Sequence, residues 1–235
     1  MGAWMMALYS VVSYVLFLVT FTYSALFVAG LPFVKGIDAG ALRPAQHAIA
    51  VDLLLLALFA VQHSVMARRG FKRWWTRLVP QPIERSTYVL AATAALAILL
   101  WQWQPIPQPV VWNVSSPLGA ALVWTVFALG WVVALSSTFL IDHFELFGLR
   151  QPFTLAMGKM AGTTEFRTPF LYRMVRHPLY LGLLIAFWAT PRMSAGHLLF
   201  SVGTTAYIFL GIFFEERDLV AQFGARYHDY REWVA

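Results

Sequence analysis

The sequence predicts an all-α fold: a polytopic membrane bundle of five or six spans, ending in a helical hairpin and a cytoplasmic amphipathic tail helix. Three observations predict it. The 235-residue chain is 60% hydrophobic and 12% charged, whereas soluble chains run about half apolar and about a quarter charged. Its mean hydropathy is +0.65. The apolar residues collect in long runs separated by short charged stretches, and the basic residues cluster in only some of those stretches. This composition argues against disorder, collagen-like repeats and disulfide scaffolds. The chain has no cysteine, which excludes a disulfide, a protein thiolate nucleophile, an iron–sulfur cluster and a cysteine-bound zinc.

A helix needs about 20 mostly apolar residues to cross about 30 Å of hydrocarbon. Four segments meet this requirement: about Trp4–Leu31, Gln46–Ala67, Thr87–Trp103 and Leu118–Ile141. The first has no basic leader and exceeds the usual length of a signal-peptide core, so it reads as a retained span. A fifth apolar region, about Leu179–Phe214, is too long for one span. Pro191-Arg192-Met193-Ser194-Ala195-Gly196 breaks it, because proline removes a helix donor and Gly and Ser favour a turn. The result is a hairpin whose first arm, Tyr180–Thr190, is short for a full crossing. The charge-free, proline-rich connection Gln104–Pro117 suits a short exoplasmic turn. After the hairpin, Leu219, Phe223, Tyr227 and Tyr230 recur at helical spacing, as expected of an amphipathic helix on the membrane or core surface.

Residues 68–85, 142–178 and the tail after Phe214 hold 14 of the 17 basic residues. Basic residues collect on the cytoplasmic side, which places both termini and the two large loops there, in a bacterial cytoplasmic membrane. The net charge of +6 is then a topology signal and not a nucleic-acid footprint. Tryptophans at predicted boundaries, Trp74, Trp75, Trp101, Trp103 and Trp112, form an interfacial belt. The whole reads as one domain over 1–235, with four spans in 1–141 and the polar motifs in 142–235.

Polar groups inside hydrocarbon are costly and therefore suggest function. Asp52 and His63 are 11 residues apart, about three helical turns, and share a face. They either line a cavity or sit wet at opposite ends of the span. The richest region is 142–182, with Asp142-His143-Phe144-Glu145 running to Arg150-Gln151, then Tyr172 and Arg176-His177-Pro178-Leu179-Tyr180-Leu181-Gly182. Pro178 keeps His177 out of the α region and makes a bend at a helix start. Such a bend presents backbone N–H groups suited to a carboxylate. The alternative is a basic loop on anionic lipid, the preferred reading for Lys159 and Arg167. Glu215 and Glu216 close the last apolar run, far from a helix N-terminus that would favour them. They either accept hydrogen bonds from a ribose or ammonium group, or pair with Arg217 or Arg173.

Arg176 to Gly182, followed by the hairpin and by Glu215-Glu216-Arg217-Asp218-Leu219 through Phe223-Gly224 to Tyr227 and Tyr230, resembles the signature of the isoprenylcysteine carboxyl methyltransferase superfamily. The chain departs from it at the end, stopping at Glu232-Trp233-Val234-Ala235 where that family continues with Arg and Pro. Gln62-His63-Ser64 to Arg68, Glu84-Arg85-Ser86-Thr87-Tyr88 and His143 to Gln151 lie outside the prenylcysteine pattern. They are similar to bacterial membrane methanethiol S-methyltransferases and related denitrification-linked membrane proteins.

The resemblance implies transfer of a methyl group from S-adenosylmethionine to methanethiol, giving dimethyl sulfide, an activity of sulfur metabolism. It implies that Arg176, His177, Pro178, Tyr180, Gly182, Glu215 and Glu216 hold the cofactor, with backbone around Val175–Leu179 taking its carboxylate or adenine. Such methyl transfer needs no metal. It needs alignment and a deprotonated thiol, so a base helps. The candidates are His143, at the cytoplasmic end of the fourth span, then His63 and Glu145; alternatively the cofactor's positive charge suffices without a base. Tyr172 and Arg150 are expected to order the loop. The expected partners are a small thiol and the bilayer. Competing readings are methylation of a larger thiol, a prenylated cysteine or a lipid head, a nicotinamide-dependent reductase, and a non-enzymatic membrane protein using Asp52 and His63 as a proton path.

Overall fold

A computed structural model describes residues 2–159 and 166–234. Five helices are long and apolar enough to span a membrane: α1 (Ala3–Ala29), α2 (Ala45–Ala67), α4 (Glu84–Gln102, led in by a 3₁₀ turn at Gln81–Ile83), α5 (Pro117–Ile141) and α9 (Ala195–Phe223). Short helices α3 (Arg69–Trp75), α6 (His143–Leu146) and α7 (Arg150–Ala156) connect them. The apolar helix α8 (Pro178–Trp188) precedes α9, and α10 (Ala225–Trp233) follows it. The polytopic all-α bundle is therefore present. The choice between five and six spans resolves into five long helices and the 11-residue α8. That helix extends about 16 Å, roughly half the hydrocarbon thickness. Exposure is inverted relative to a soluble protein: Val19, Leu54, Leu122 and Phe209 are open, while Ser10, Asp52, Ser86 and Ser137 are buried. An apolar surrounding solvent produces this arrangement.

The chain packs as two compact units. The first comprises Met1–Pro105 and Asp142–Thr163. In it α4 lies against α1 and α2. The Ser86 hydroxyl donates to the Gly148 carbonyl at 2.7 Å and lies 2.7 Å from Ser10 Oγ, and Tyr9 donates to Thr87 at 3.1 Å. Arg85 Nε donates to the Leu146 carbonyl at 2.9 Å. Gly148 has φ +78°, and a Cβ there would lie 2.6 Å from the Ser86 backbone nitrogen. The Glu84–Tyr88 and His143–Gln151 motifs are thus two sides of one docking contact. Asp52 is fully buried and accepts the backbone N–H of Gln104 at 2.9 Å, where the chain leaves α4. It is neither wet nor facing an open path. The Lys35 ammonium closes the same end of α4 by donating to the Trp101 and Trp103 carbonyls.

The second unit comprises Ile106–Ile141 and Thr164–Ala235. Its main contact is between α5 and α8. A Cβ on Gly130 would lie 2.6 Å from the Ala186 nitrogen, and a Cβ on Gly182 would lie 2.6 Å from the Gly130 carbonyl. Gly130-x-x-x-Ala134 and Gly182-x-x-x-Ala186 therefore form a reciprocal small-residue crossing that lets the two backbones approach. Gly182, which the motif resemblance assigns to the cofactor, faces α5. We expect Gly182→Leu to push the helices apart and cost about 1–3 kcal/mol or more, read as a lower detergent melting temperature.

Two features differ from the sequence expectation. The expected turns at 104–117 and 191–196 include strands β1 (Val110–Asn113) and β2 (Arg192–Ser194), paired antiparallel. Strand pairing satisfies backbone groups that a bare turn beside an apolar medium would leave open. The expected tail helix is also not one piece from Leu219 to Tyr230. Helix α9 runs on to Phe223, and only Gly224, at φ +56°, ends it. Glu216 lies 21 residues after Ala195 within this helix, about 32 Å along its axis. That is roughly the thickness of the hydrocarbon.

Candidate active site

In the second unit the Arg176-His177-Pro178 bend aims its side chains at α9. His177 is the N-cap of α8 with extended φ and no side-chain cap bond, and Pro178 occupies the first helical position. This leaves the imidazole free to turn, and its Nε2 meets Glu216 Oε1 at 2.8 Å. The same oxygen accepts the Tyr227 hydroxyl at 2.8 Å. The other carboxylate oxygen meets Arg176 at 3.2 Å and Arg231 Nε at 3.0 Å. One carboxylate, 14% exposed, thus takes four donors from two parts of the chain: the bend before α8 supplies two, and α10 supplies Tyr227 and Arg231. Charge-assisted bonds of this kind are the stronger class.

Glu215 differs from its neighbour. Its side chain is 44% exposed, with His177 Nδ1 at 3.7 Å. Tyr180 packs near His177, with ring centroids 5.7 Å apart, and its hydroxyl approaches Gly211 on α9. The Tyr230 hydroxyl donates to the Tyr172 carbonyl at 2.5 Å, tying α10 to the 3₁₀ turn Phe170–Arg173. The Tyr172 hydroxyl donates to the Ser137 carbonyl at 3.4 Å. Burial, and then the nearby Glu215 charge, push the Tyr172 phenol well above its ordinary range. Burial and the bond to Glu216 do the same for Tyr227. Both stay protonated and act as donors.

In the first unit His143 opens α6 and is 3% exposed. Its Nε2 and the Tyr14 hydroxyl share a 2.6 Å hydrogen bond, and the Tyr14 and His143 rings meet edge to face. Phe147 packs on the same imidazole, with centroids 4.8 Å apart. Burial holds the imidazole below its ordinary pKa, so the ring is neutral at neutral pH. Asp142 caps the turn by accepting the Glu145 N–H at 3.0 Å and also takes the Arg150 guanidinium. Gln151 donates to Glu145 at 2.7 Å. Glu145 and Arg150 therefore hold the turn that carries His143. His63 belongs to a separate contact on α2, with Nε2 2.8 Å from the Tyr88 hydroxyl and its ring stacked on Phe59.

The structure thus brings Tyr172, Arg176, His177, Tyr180, Glu215 and Glu216 into one cluster. It places His143, Glu145 and Arg150 in another, and it sets Gly182 in a helix crossing. Sequence reasoning missed Tyr14, Tyr227 and Arg231. A tyrosine among the buried serines of an apolar span was the available sign of Tyr14. Among the described residues, no group of three His, Asp or Glu is arranged to hold a metal.

These features define a polytopic integral membrane enzyme with its polar groups gathered where the helices end. The chain belongs to the NnrU protein family, whose model matches residues 53–218. A Mycobacterium tuberculosis protein named methanethiol S-methyltransferase is 51% identical over all of this chain and 96% of its own length. Methanethiol S-methyltransferase 1 of Bradyrhizobium diazoefficiens is 53% identical over 97% of this chain and 80% of its own. Nurim of Xenopus laevis is 36% identical over 70% of this chain and 60% of its own. No solved structure matches the chain.

Proposed function

We propose that this protein is a methanethiol S-methyltransferase acting as one membrane domain, with S-adenosylmethionine as methyl donor and the donor site and both termini on the cytoplasmic side. The observation that carries the reading is identity of about one residue in two, across nearly the whole chain, to relatives of that name. Bound at the site, S-adenosylmethionine supplies an electrophilic methyl group on a sulfonium sulfur, and attack by the thiol sulfur gives dimethyl sulfide.

The second-unit cluster fits that donor. Glu216 is saturated by protein donors. It therefore sets the positions of Arg176, His177 and Tyr227 and does not bind ligand itself. Glu215, with its open carboxylate, is the acceptor for ribose hydroxyls or an ammonium group. Pro178 and the uncapped start of α8 leave backbone N–H groups for a carboxylate. In the first unit His143 takes the thiol proton. A neutral, buried imidazole is the form that accepts one, and Tyr14 orients it. Asp142, Glu145 and Arg150 keep the α6 turn in place.

The test uses purified protein in detergent, methanethiol and methyl-labelled S-adenosylmethionine, with labelled dimethyl sulfide measured in the headspace. Label in the headspace is the expected result. Folded protein giving none at saturating thiol overturns the reading, and label appearing only with a larger thiol or a prenylated cysteine reassigns the substrate.

A further inference from the structure

We propose that Arg68–Leu78, the segment built on α3, is a binding surface for the headgroups of anionic phospholipids. Most other basic groups of the described chain are spent on internal partners. Arg176 and Arg231 hold Glu216, Arg150 holds Asp142, and Arg85 caps a carbonyl. In the α3 segment Arg68 is held in the same way, its Nε donating to the Ser64 carbonyl at 3.2 Å. No acidic residue occurs from Leu53 to Ile83, while Arg68, Arg69, Lys72, Arg73 and Arg77 fall within ten positions. Among the described residues the guanidinium groups of Arg73 and Arg77 make no ion pair, and both residues are exposed.

Arg69 and Arg73 lie one helical turn apart on α3, and Arg77 follows in the turn after Trp75. Trp74 on α3 is 51% exposed, and Leu78 in the turn after it is 67% exposed. Phe71 and Trp75 stack on each other with centroids 5.8 Å apart. The segment begins directly where the spanning helix α2 ends at Ala67, so it lies at headgroup depth. Indole and leucine reach the acyl boundary there, and guanidinium forks meet phosphate oxygens. A zwitterionic headgroup offers each phosphate with its own compensating ammonium, so the exposed Arg73 and Arg77, which make no ion pair among the described residues, select lipids carrying net negative charge.

The full-length protein is purified in mild detergent and offered an equal mixture of phosphatidylglycerol and phosphatidylcholine, and the retained lipid is identified by native mass spectrometry. The wild type is expected to retain phosphatidylglycerol several-fold over phosphatidylcholine, with the enrichment falling as salt is raised. The double variant Arg73→Gln/Arg77→Gln is expected to lose the enrichment, and Trp74→Ala to weaken retention of both lipids. Arg77→Gln alone, beyond the end of the helix, serves if the double variant does not fold. Unchanged enrichment in a folded variant, or none in the wild type, overturns the proposal. Displacement of the lipid by inorganic phosphate alone overturns it in favour of a free-phosphate site.

Discussion

Glu216→Ala is expected to abolish S-adenosylmethionine binding and to lower stability markedly. The carboxylate takes His177 and Tyr227 on one oxygen and Arg176 and Arg231 on the other. Removing it leaves Arg176 and His177, both largely buried, without their common anion. Removing one partner of a buried pair costs about 3–5 kcal/mol, and here the bend before α8 and the docking of α10 lose their shared anchor together. Calorimetric titration with S-adenosylmethionine and a melting curve in detergent measure the two effects. Glu215→Gln separates the roles of the neighbours: its open side chain predicts a near-normal melting temperature with weakened cofactor binding. Wild-type affinity in Glu216→Ala, or a strong loss of stability in Glu215→Gln, would reverse the assignment.

His143→Ala is expected to lose turnover while keeping S-adenosylmethionine binding, because its imidazole bonds to Tyr14, whereas the donor cluster is held by Glu216 through Arg176, His177 and Tyr227. The pH dependence has a definite sign. Burial lowers the His143 pKa in the folded protein. The neutral base therefore persists below the ordinary imidazole value of about 6.5, and the acid limb of kcat lies below that pH. The same shift means that protonation opposes folding, so its contribution to stability is lost as the pH falls through this range. Other charged groups near the turn are Asp142, Glu145 and Arg150 on α6 and α7, and Arg85 on α4. Tyr14→Phe removes the hydroxyl bonded to the imidazole. A base acting through Nδ1 carries its hydrogen on Nε2 and donates it to the Tyr14 oxygen; that acceptor favours the imidazolium, so its loss moves the acid limb down in pH and lowers kcat with little change in melting temperature. Full rate across pH in His143→Ala sinks the base assignment, whereas an unmoved limb in Tyr14→Phe sinks only the Tyr14 role.

Much of this was legible from residues alone, for reasons that lie in local chemistry. Long apolar runs have few alternatives in an apolar medium, so the first four spanning helices were readable within a few residues of their ends, whereas α9 runs nine residues past the end of its apolar run at Phe214. Pro178 and the Pro191–Gly196 break constrain φ wherever they occur, so the bend and the hairpin were readable too. The Arg176–Gly182 and Glu215–Tyr230 motifs marked the polar cluster because ionisable groups at the end of an apolar run need partners. Their pairing was not readable. Arg217 stands closer in sequence to Glu216 than any true partner, and Arg173 lies only three positions before Arg176. Only the unbroken course of α9 and the turn at Gly224 bring Tyr227 and Arg231 back to Glu216.

Gly182 shows the limit from the other side. It stands inside a ligand-like motif, and its neighbours in sequence say nothing of Gly130 and Ala134, which occupy the space a side chain would need. Tyr14 and His143 are 129 positions apart, and no spacing rule joins them. The sequence by itself determined that this is a cysteine-free helical membrane protein with most of its ionisable groups outside the apolar runs, because the transfer energy of each side chain into hydrocarbon is a property of that residue. The tertiary structure alone decided which glutamate is saturated and which is open, which glycine packs and which tyrosine orients His143, because hydrogen bonds and close contacts depend on distances between residues far apart in the chain.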